Sequence, residues 1–403
     1  MININIPLNK IIIHDRILSM FMKKVGIICE YNPFHNGHIY HLQKIKEKYP
    51  DSLIILVMSS SFTMRGEISL LNKWDKARLA LNYGVDLVIE LPTFYSTNSA
   101  DTFAEGSLRL LSMMKVDYLV FGSESDDVTL LQKLATIQLE NNDYDNLVKK
   151  YLDDGYNYPT SMSKALKDLS DEDLHESNDL LGLSYVKEII KNHYSIIPVS
   201  IKRTNNYLDE SIDNEISSAT SIRKAIKENI DIKKVVPTET LKCLITDDIE
   251  NNYFYLLKYK ILSDMDNLKF YLDVDEGLDN LIRKNILKAT SLNDLINRIK
   301  TKRYTYNRLN RMFLHILLNI KKEDKERRKN INYIRVLGFS LKGKKYLKEI
   351  KKEITAPFIT NYSDLDNDNL SFELYCSYIY HLIINNSDLD LVEIKSIPIE
   401  KKD

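Results

Sequence analysis

Cysteine is scarce in this sequence, and its placement excludes two kinds of structural framework. The three cysteines among 403 residues, Cys29, Cys243 and Cys376, are an odd number and lie far apart. They form no CxxC pair and no other spacing typical of metal ligands. A disulfide scaffold and a cysteine-based metal site are therefore excluded. We predict no protein-bound metal and expect a reduced cytoplasmic protein.

Long apolar runs are also absent. No run reaches the roughly 18 residues that a membrane-spanning helix needs, so we expect no membrane partner. Residues 1–21 alternate charged and apolar groups too quickly for a signal-peptide core and offer no clear cleavage site of small residues. We expect a non-catalytic leader there, with either Met22 as the natural start or residues 1–21 as a loose tail.

Net charge is nearly absent as well, because 56 Lys and Arg residues face 57 Asp and Glu residues, giving a formal charge of -1. Nucleic-acid-binding proteins often carry a basic excess, so the whole-chain charge argues against that class. A hydrophobic fraction of 44% excludes a disordered chain. The length is sufficient for two or three domains at roughly 150 residues each.

Short apolar runs alternate with segments of helical periodicity in the first half of the chain, which is typical of a parallel α/β sheet. The apolar runs predict strands at 25–30, 53–58, 85–91, 118–121 and 196–201. The periodic segments predict helices at 37–49, 73–83, 100–114 and 180–192. We therefore predict a doubly wound sheet, with ligands beyond the carboxyl ends of its strands.

The character of the chain changes after about residue 235. Stretches rich in Leu, Ile, Tyr and Lys then recur at helical spacing with few strand or turn signals. The sequence predicts a catalytic α/β domain over 22–235 and a mainly helical domain over 236–403, closed by a short mixed tail after Pro357.

The segment EYNPFHNGH, from Glu30 to His38, follows the first predicted strand and opens the first helix. A helix amino terminus offers unpaired N–H groups and a partial positive charge, which suit a polyphosphate. His35 and His38 are three residues apart and therefore project to the same side. Neutral imidazoles can donate hydrogen bonds to phosphoryl oxygens and cationic ones add charge. A helix cap with a half-buried histidine, or a metal pair lacking a third ligand, are the alternative interpretations.

A second segment, ISSATSIR from Ile216 to Arg223, lies late in the same predicted domain. Hydroxyl groups at a helix start followed by an arginine form a chemically suitable phosphate clamp. The alternative is an ordinary N-cap followed by a surface arginine. Because both segments stand next to helix starts and in this order, they resemble the HxGH and ISxTxxR motifs of the nucleotidylyltransferase superfamily.

A closer resemblance extends from about residue 22 to about residue 345. The EYNPFHNGH segment, Lys73-Trp74, GVDLVIELP at 84–92, FGSE at 121–124, SNDLLG at 177–182 and TKRYT at 301–305 are similar to the bacterial tRNA(Met) cytidine acetate ligase family. The resemblance implies a nucleotidylyltransferase (HUP-like Rossmannoid) domain. It also implies an ATP-dependent ligase that forms acetyl-adenylate and acetylates the wobble cytidine of elongator tRNA(Met), releasing AMP and pyrophosphate.

The resemblance also implies which residues serve the reaction. We expect His35, His38 and Arg223 to be catalytic, with ATP bound as substrate in its Mg²⁺ complex and acetate as the second substrate. No obligate protein partner is implied. The ATP-binding positions expected from the match are Ile28, Cys29, Glu30, Tyr31, Asn32, Pro33, Phe34, His35, Asn36, Gly37, His38, Ile39, Tyr40, His41, Gly122, Asn178, Arg203, Ser221 and Arg223.

Four of these positions can also be interpreted from the residues alone. Cys29 stands where the family pattern predicts an aliphatic or small residue, and we interpret it as a small apolar filler of the strand rather than a nucleophile. Without the family match, Gly122 fits an ordinary strand-to-helix turn. Asn178 would likewise be a helix cap and Arg203 a surface charge.

The near-zero net charge conceals a basic segment. Residues 298–353 contain 19 Lys and Arg residues against 5 Asp and Glu residues, a local net of +14, with tyrosines interleaved. Cationic groups track phosphates and aromatic rings stack on bases, although charge runs are often solvated helix faces. We predict RNA contacts at Lys302, Arg303, Arg308, Arg311, Arg327 and Arg328.

Two other functions share some of these features. A small-molecule adenylyltransferase of the pantetheine-phosphate or nicotinamide-nucleotide type would use the HxGH chemistry without the basic segment. An RNA-binding protein with a vestigial nucleotide site would keep the basic segment without turnover. The extra helical domain and the family blocks favour the tRNA-modifying ligase.

Overall fold

The fold centres on one mixed sheet in a computed structural model, which describes residues 22–203, 216–362, 368–386 and 388–402. The predicted leader, residues 1–21, lies outside the described residues. The first five strands are parallel and stand in the order β5-β4-β1-β2-β3. They are β1 Lys24–Cys29, β2 Leu53–Ser59, β3 Leu87–Leu91, β4 Tyr118–Ser123 and β5 Ile197–Lys202.

The strand order creates a switch point between β1 and β4. From β1 the chain proceeds outward to β2 and β3, whereas β4 and β5 are added on the opposite side. The loops that leave the carboxyl ends of β1 and β4 therefore diverge and leave a crevice between them. This crevice is where the HxGH turn and Gly122 both lie, since one follows β1 and the other ends β4.

Helices cover both faces of the sheet because side chains along each strand alternate between faces. In β2, Ile55 and Val57 pack with one apolar cluster, while Leu56 and Met58 pack with the other. The first half contributes α1 Asn36–Lys48, α2 Lys73–Asn82, α3 Thr93–Ser96, α4 Ala100–Met113, α5 Val128–Glu140, α6 Tyr144–Asp153, α7 Tyr158–Ser170, α8 Ser177–Lys191 and α9 Ala219–Lys227. Leu42 of α1 lies in the second cluster, and Leu111 of α4 in the first.

The middle of the chain is helical, as predicted. It contains α10 Thr238–Cys243, α11 Ile249–Ser263, a 3₁₀ helix Met265–Phe270, α12 Leu278–Asn285, α13 Leu292–Ile299, α14 Tyr306–Leu317 and α15 Asp324–Arg328. The apolar residues of α11 to α14 join the same cluster as α4 and α8, so this part packs directly on the sheet domain.

The C-terminal part returns to the sheet, which sequence reasoning missed. Strand β6, Ile334–Phe339, pairs antiparallel with β3 and extends the sheet beyond its parallel part. Two short strands, β7 Phe358–Ile359 and β8 Ile399–Glu400, pair with β6, and the remaining helices are α16 Leu341–Ile350, α17 Asp368–Ile383 and α18 Asp388–Lys395. The part after residue 235 is therefore mainly helical but shares the first sheet.

The predicted α/β fold class with a mainly helical second part is confirmed. Each of the five predicted strands and four predicted helices is present, with ends within three residues of the prediction. No helix within the described ranges combines the length and the apolar character that crossing a bilayer requires.

Candidate functional site

The turn after β1 is organised by its two histidines. His35 occupies the N-cap position of α1, and its Nδ1 accepts a hydrogen bond from the Gly37 backbone N–H at 3.0 Å. His38 Nδ1 accepts in turn from the His35 backbone N–H at 3.1 Å. Because each Nδ1 uses its lone pair, a neutral ring must carry its proton on Nε2. Both histidines therefore offer an Nε2–H donor from one helix start.

The histidines are held neutral. Burial lowers the pKa of His35 to about 3, and the nearby charges of Arg203 and Arg223 add to the effect. Burial also lowers the pKa of His38 well below its ordinary value, with His35 and His41 contributing. Of the two protonation states considered from sequence, the structure therefore favours neutral rings that act as hydrogen-bond donors.

Packing fixes the orientation of the pair. The His35 and His38 rings lie 3.9 Å apart between centroids. Tyr31 contacts the His38 ring edge-on at 4.6 Å, and Phe34 stacks on it at 5.6 Å. A Cβ at Gly37 would come within 2.8 Å of the His35 ring, so glycine is needed beside this cap. The site is thus rigid before any ligand binds.

Arg223 is brought to the same turn by α9. Ser218 caps this helix by accepting from the Ser221 backbone N–H at 3.0 Å. The Arg223 guanidinium donates to the Asn32 carbonyl at 2.9 Å and pairs with Glu67 at 3.1 Å. Glu67 was missed from sequence because it lies in a loop without a motif. Its carboxylate orients the arginine toward the HxGH turn.

The turn after β4 forms the opposite side of the crevice. Buried Asp179, at the start of α8, accepts hydrogen bonds from the backbone N–H groups of Glu124 at 3.0 Å and Ser125 at 2.9 Å. Asn178 donates to the Glu124 carboxylate, which also lies 3.8 Å from Arg203. A Cβ at Gly122 would lie 3.4 Å from the Arg203 side chain. The predicted residues of this turn are therefore mutual neighbours.

A cavity of about 570 Å³ joins these parts. It is lined from the HxGH turn, the ends of β4 and β5, the start of α8, the ISSATSIR segment and the start of α14. The predicted site residues in its wall are Ile28, Cys29, Glu30, Tyr31, Asn32, His35, Gly37, His38, Tyr40, His41, Gly122, Asn178, Arg203, Arg223, Arg303, Arg308 and Arg311.

Among the described residues, the other predicted positions do not line the cavity. Phe34 is fully buried, and Asn36 donates to the Lys234 carbonyl at 2.9 Å. Ser221 is buried beside Ser218, with their hydroxyl oxygens 2.7 Å apart. The remaining positions of this group are Pro33, Ile39, Lys302, Arg327 and Arg328.

Cys29 lines the cavity without being activated. Burial raises the pKa of its thiol to about 12. A thiol with a raised pKa holds its proton and is a poor nucleophile. The interpretation of Cys29 as a small apolar residue of the strand is therefore consistent with its surroundings.

The basic residues at the start of α14 reach the same cavity, but acidic residues outside the basic segment partly neutralise them. Arg303 pairs with Glu276 at 3.0 Å, and Arg308 pairs with Asp275 at 3.2 Å while its guanidinium stacks on Tyr304 at 4.7 Å. The local charge of +14 counted along the sequence overstates the free positive charge, because these partners precede the counted stretch.

Arg327 and Arg328 lie elsewhere. Both pair with Asp324 and Asp368, and the Arg328 guanidinium packs 3.6 Å above the Phe372 ring. Arg328 is only 8% exposed. Its side chain holds α15 against α17, which leaves little surface for a phosphate, whereas Lys302 is exposed beside Arg303.

Among the residues that the structure describes, no three His, Cys, Asp or Glu side chains are grouped closely enough to hold a metal ion. The histidine pair uses both Nδ1 atoms for backbone hydrogen bonds, which suits phosphate donation better than metal ligation.

Known proteins are similar to this chain in sequence and in fold. Residues 22–392 match the family model described as HIGH Nucleotidyl Transferase. A tRNA(Met) cytidine acetate ligase of Caldicellulosiruptor saccharolyticus is 40% identical over 345 residues, covering 83% of this chain and 86% of that protein. One of Fusobacterium nucleatum subsp. nucleatum is 39% identical over 414 residues, covering 95% and 100%.

Two solved structures are also similar to this chain. Apo TmcAL of Thermotoga maritima has a TM-score of 0.86 at 30% identity, covering 94% of this chain and 99% of that chain. The form of that protein bound with alpha-thio ATP has a TM-score of 0.84 at 29% identity, covering 94% and 100%.

Proposed function

The chain belongs to the tRNA(Met) cytidine acetate ligases of the HIGH nucleotidyl transferase family, and we propose that it carries out their reaction in the cavity described above. It is an ATP-dependent ligase that activates acetate and acetylates a cytidine of tRNA(Met). The observation that carries the proposed chemistry is the pair of neutral histidines whose Nδ1 atoms both accept backbone N–H groups.

The first step joins acetate to ATP. An acetate oxygen attacks the α-phosphate, and the bond to pyrophosphate breaks, which gives acetyl-adenylate. Such an in-line displacement needs positioning and charge stabilisation more than covalent chemistry. We assign the Nε2–H groups of His35 and His38 and the guanidinium of Arg223 to the phosphoryl oxygens. The positive end of α1 supports the same charge.

The nucleotide binds across the switch point in this proposal. Gly122, Asn178 and Arg203 line the β4 side of the cavity, opposite the histidines. The missing side chain at Gly122 leaves the carboxyl end of β4 open to a ligand. These groups fit ATP, and the Mg²⁺ that accompanies it would supply charge neutralisation of the phosphates when bound.

The second step transfers the acetyl group to the exocyclic amine of the wobble cytidine in elongator tRNA(Met). That amine is a weak nucleophile, so the reaction depends on holding the base against the mixed anhydride. An anticodon loop allows the base to leave its stack at small cost. Arg303, Arg308 and Arg311 line the cavity beside the nucleotide residues, which supports RNA contact at its mouth.

Several further assignments belong to the same proposal. Residues 22–235 hold the chemistry and 236–403 hold the tRNA, although β6 joins both parts in one sheet. Lys302 and Arg327 extend the RNA contacts beyond the cavity, while buried Arg328 is the weakest member of that set. Acetate is the free substrate, no obligate protein partner is needed, and the enzyme works in the cytoplasm.

One assay tests the function. The protein is incubated with ATP, acetate and tRNA carrying the CAU elongator anticodon, and both AMP release and N4-acetylcytidine are measured. Formation of AMP and acetylcytidine in equal amounts is expected. Turnover of ATP without acetylated tRNA would point to a small-molecule adenylyltransferase, and tRNA binding without ATP turnover would point to a binding protein.

A further inference from the structure

Three carboxylates line the cavity within the described residues, and Glu30 is the one that forms no ion pair with a described residue. Glu67 pairs with Arg223 at 3.1 Å. Asp101 pairs with Lys187 at 2.6 Å. Glu30 has only its Oε1 engaged, and no described residue forms a hydrogen bond with its Oε2. Glu30 therefore presents a carboxylate oxygen that is available to a ligand.

Glu30 is held firmly at the end of β1. Its Oε1 accepts from the Met64 backbone N–H at 2.7 Å and from the Ser59 hydroxyl at 3.4 Å. Its backbone carbonyl accepts from Lys76 at 3.0 Å, and the same ammonium donates to the Ser59 carbonyl at 2.9 Å. Lys76 is fully buried. These contacts fix the carboxylate immediately before the turn that carries the histidines.

A fixed carboxylate is an unusual component of a phosphate site. Its charge repels the triphosphate, whereas the surrounding His35, His38, Arg203 and Arg223 all attract it. A base at this place is useful to a reactant that must lose a proton. Acetate carries none to lose, but the cytidine amine does, so the second step is the one in which a base is needed.

We propose that Glu30 is the general base for acetyl transfer, an inference that rests on the function proposed above. The cytidine amine nitrogen attacks the carbonyl carbon of acetyl-adenylate, and a new C–N bond forms. The bond from that carbon to the phosphate oxygen breaks, and AMP leaves with the electron pair. One amine proton passes to Glu30 Oε2 and then to solvent, so that atoms and charge balance.

The surroundings of Glu30 suit this task. Burial raises the pKa of its carboxyl, and the Met64 N–H bond partly opposes that shift. A carboxylate with a raised pKa accepts a proton more readily than an exposed one. The nearby Arg65 and Lys76 keep the ionised form accessible, while Glu67 favours protonation.

The test separates the two chemical steps. Acetate-dependent exchange of labelled pyrophosphate into ATP reports adenylate formation, and single-turnover formation of N4-acetylcytidine reports transfer. Glu30→Gln keeps the size of the side chain and an oxygen that accepts from Met64. Transfer should fall by on the order of 100-fold more than exchange, because general base catalysis contributes about that factor.

Two further variants keep the test decisive. Asp101→Asn removes a charge from the same cavity, and the ratio of its transfer and exchange rates should stay within about threefold of wild type because Asp101 is already paired with Lys187. Glu30→Asp keeps a base and should lose less transfer than Glu30→Gln. If thermal unfolding shows that Glu30→Gln does not fold, the ratio of the transfer rate to the exchange rate in Glu30→Asp is compared with that of wild type instead.

The outcomes distinguish this inference from the function on which it rests. Equal losses of exchange and transfer in Glu30→Gln would assign Glu30 to ATP or its metal ion and overturn the proposal. Unchanged transfer would overturn it as well. A wild-type enzyme that exchanges pyrophosphate but never acetylates tRNA would overturn the proposed function and this inference together.

Discussion

Gly66 lies against the backbone of Arg311, so closely that a Cβ on Gly66 would come within 2.5 Å of the Arg311 nitrogen. The loop around Gly66 also supplies Met64, whose N–H holds Glu30, and Glu67, which pairs with Arg223. This contact therefore connects α14, the helix proposed to face the tRNA, to the groups that position the histidine turn.

Substitution of Gly66 by alanine should push the loop around Gly66 away from the backbone of α14 at Arg311. Gly66 has a φ of +73°, so the substitution adds backbone strain to the clash with Arg311. We expect a loss of about 1 to 3 kcal/mol in unfolding free energy and a larger loss of tRNA acetylation than of ATP binding. Urea unfolding and the two-product assay measure these effects.

Gly155→Ala is the matched control for that change. Gly155 also has a positive φ, +89°, but a Cβ there meets nothing within 4 Å. It should cost about 1 kcal/mol from backbone strain alone and leave the ratio of acetylation to ATP binding as in wild type. Equal effects of the two substitutions on acetylation would show that the contact with Arg311 has no functional role.

His38→Ala should abolish activation of acetate without weakening tRNA binding. Removal of one preorganised donor at a developing negative charge typically costs about 100-fold to 1,000-fold in rate. Acetate-dependent pyrophosphate exchange measures the loss, and filter binding of tRNA should change by less than about twofold, because the proposed RNA contacts lie at α14. His35→Ala should behave similarly, with an added loss of helix capping. Retained exchange in both variants would remove the histidines from the chemistry.

The buried histidines also predict how stability depends on pH. Burial lowers the pKa of His35 to about 3 and of His41 to about 4, whereas an unfolded histidine titrates near 6.5. Below pH 6.5 the unfolded chain binds protons that the folded chain excludes, so stability is complete above this pH and is lost on acidification toward pH 4. The slope is about 1.4 kcal/mol per pH unit for each such histidine.

His41→Asn should flatten this pH dependence by the contribution of one histidine. Urea unfolding at pH 7.5 and 5.5 gives the difference for each protein, and the carboxylates contribute equally to both. A variant whose stability falls as steeply as that of wild type would show that His41 is not kept neutral by the fold.

Charge reversal at Arg303 together with Arg308 should weaken tRNA binding and reduce its dependence on salt. Each lost phosphate contact lowers the slope of log affinity against log salt by roughly 0.7 to 0.9. Because both arginines already pair with Glu276 and Asp275, the affected contacts are fewer than the charge count implies. Lys133 of α5 forms an exposed ion pair with Glu172, and Lys133→Glu should leave the salt dependence of tRNA binding as in wild type. An unaltered slope in the double variant would place the RNA elsewhere.

Sequence patterns predicted those parts of the fold that are determined by residues close together in the sequence. Strand runs such as 53–58 are local signals, and so is the helix cap at His35, which was the alternative interpretation of that histidine; the structure contains both. Strand β6 was not predicted, because its pairing with β3 joins residues about 250 positions apart. Periodicity contains no information on such a partner.

The residues of the candidate site also divide into those that the sequence predicted and those that it did not. The histidines and Gly122 belong to motifs, and Arg203 was expected from the family resemblance, whereas Glu67 and Asp275 act from loops whose sequence shows no pattern. Only the folded chain shows that these acids neutralise Arg223 and Arg308. The free oxygen of Glu30 is likewise a property of its contacts rather than of the segment in which it lies.

The last prediction concerns the attachment of the C-terminal helices to the sheet domain. Lys73 of α2 forms buried ion pairs with Glu90 of β3, at 2.9 Å, and with Glu393 of α18. Trp74, the single tryptophan of the chain, donates its Nε1–H to Glu393 at 3.1 Å. Removal of one member of a buried pair leaves an uncompensated charge, which costs about 3 to 5 kcal/mol.

Glu393→Ala should therefore destabilise the protein by about that amount. The loss is measured by urea unfolding followed through the fluorescence of Trp74, whose folded-state emission should also shift because its hydrogen bond is removed. Glu400→Ala is the matched control, since its pair with Lys344 is half exposed and should be worth less than about 1 kcal/mol. If Glu393→Ala were no more destabilising than this control, α18 would not be anchored through Lys73, and the burial of that ion pair would have no energetic role.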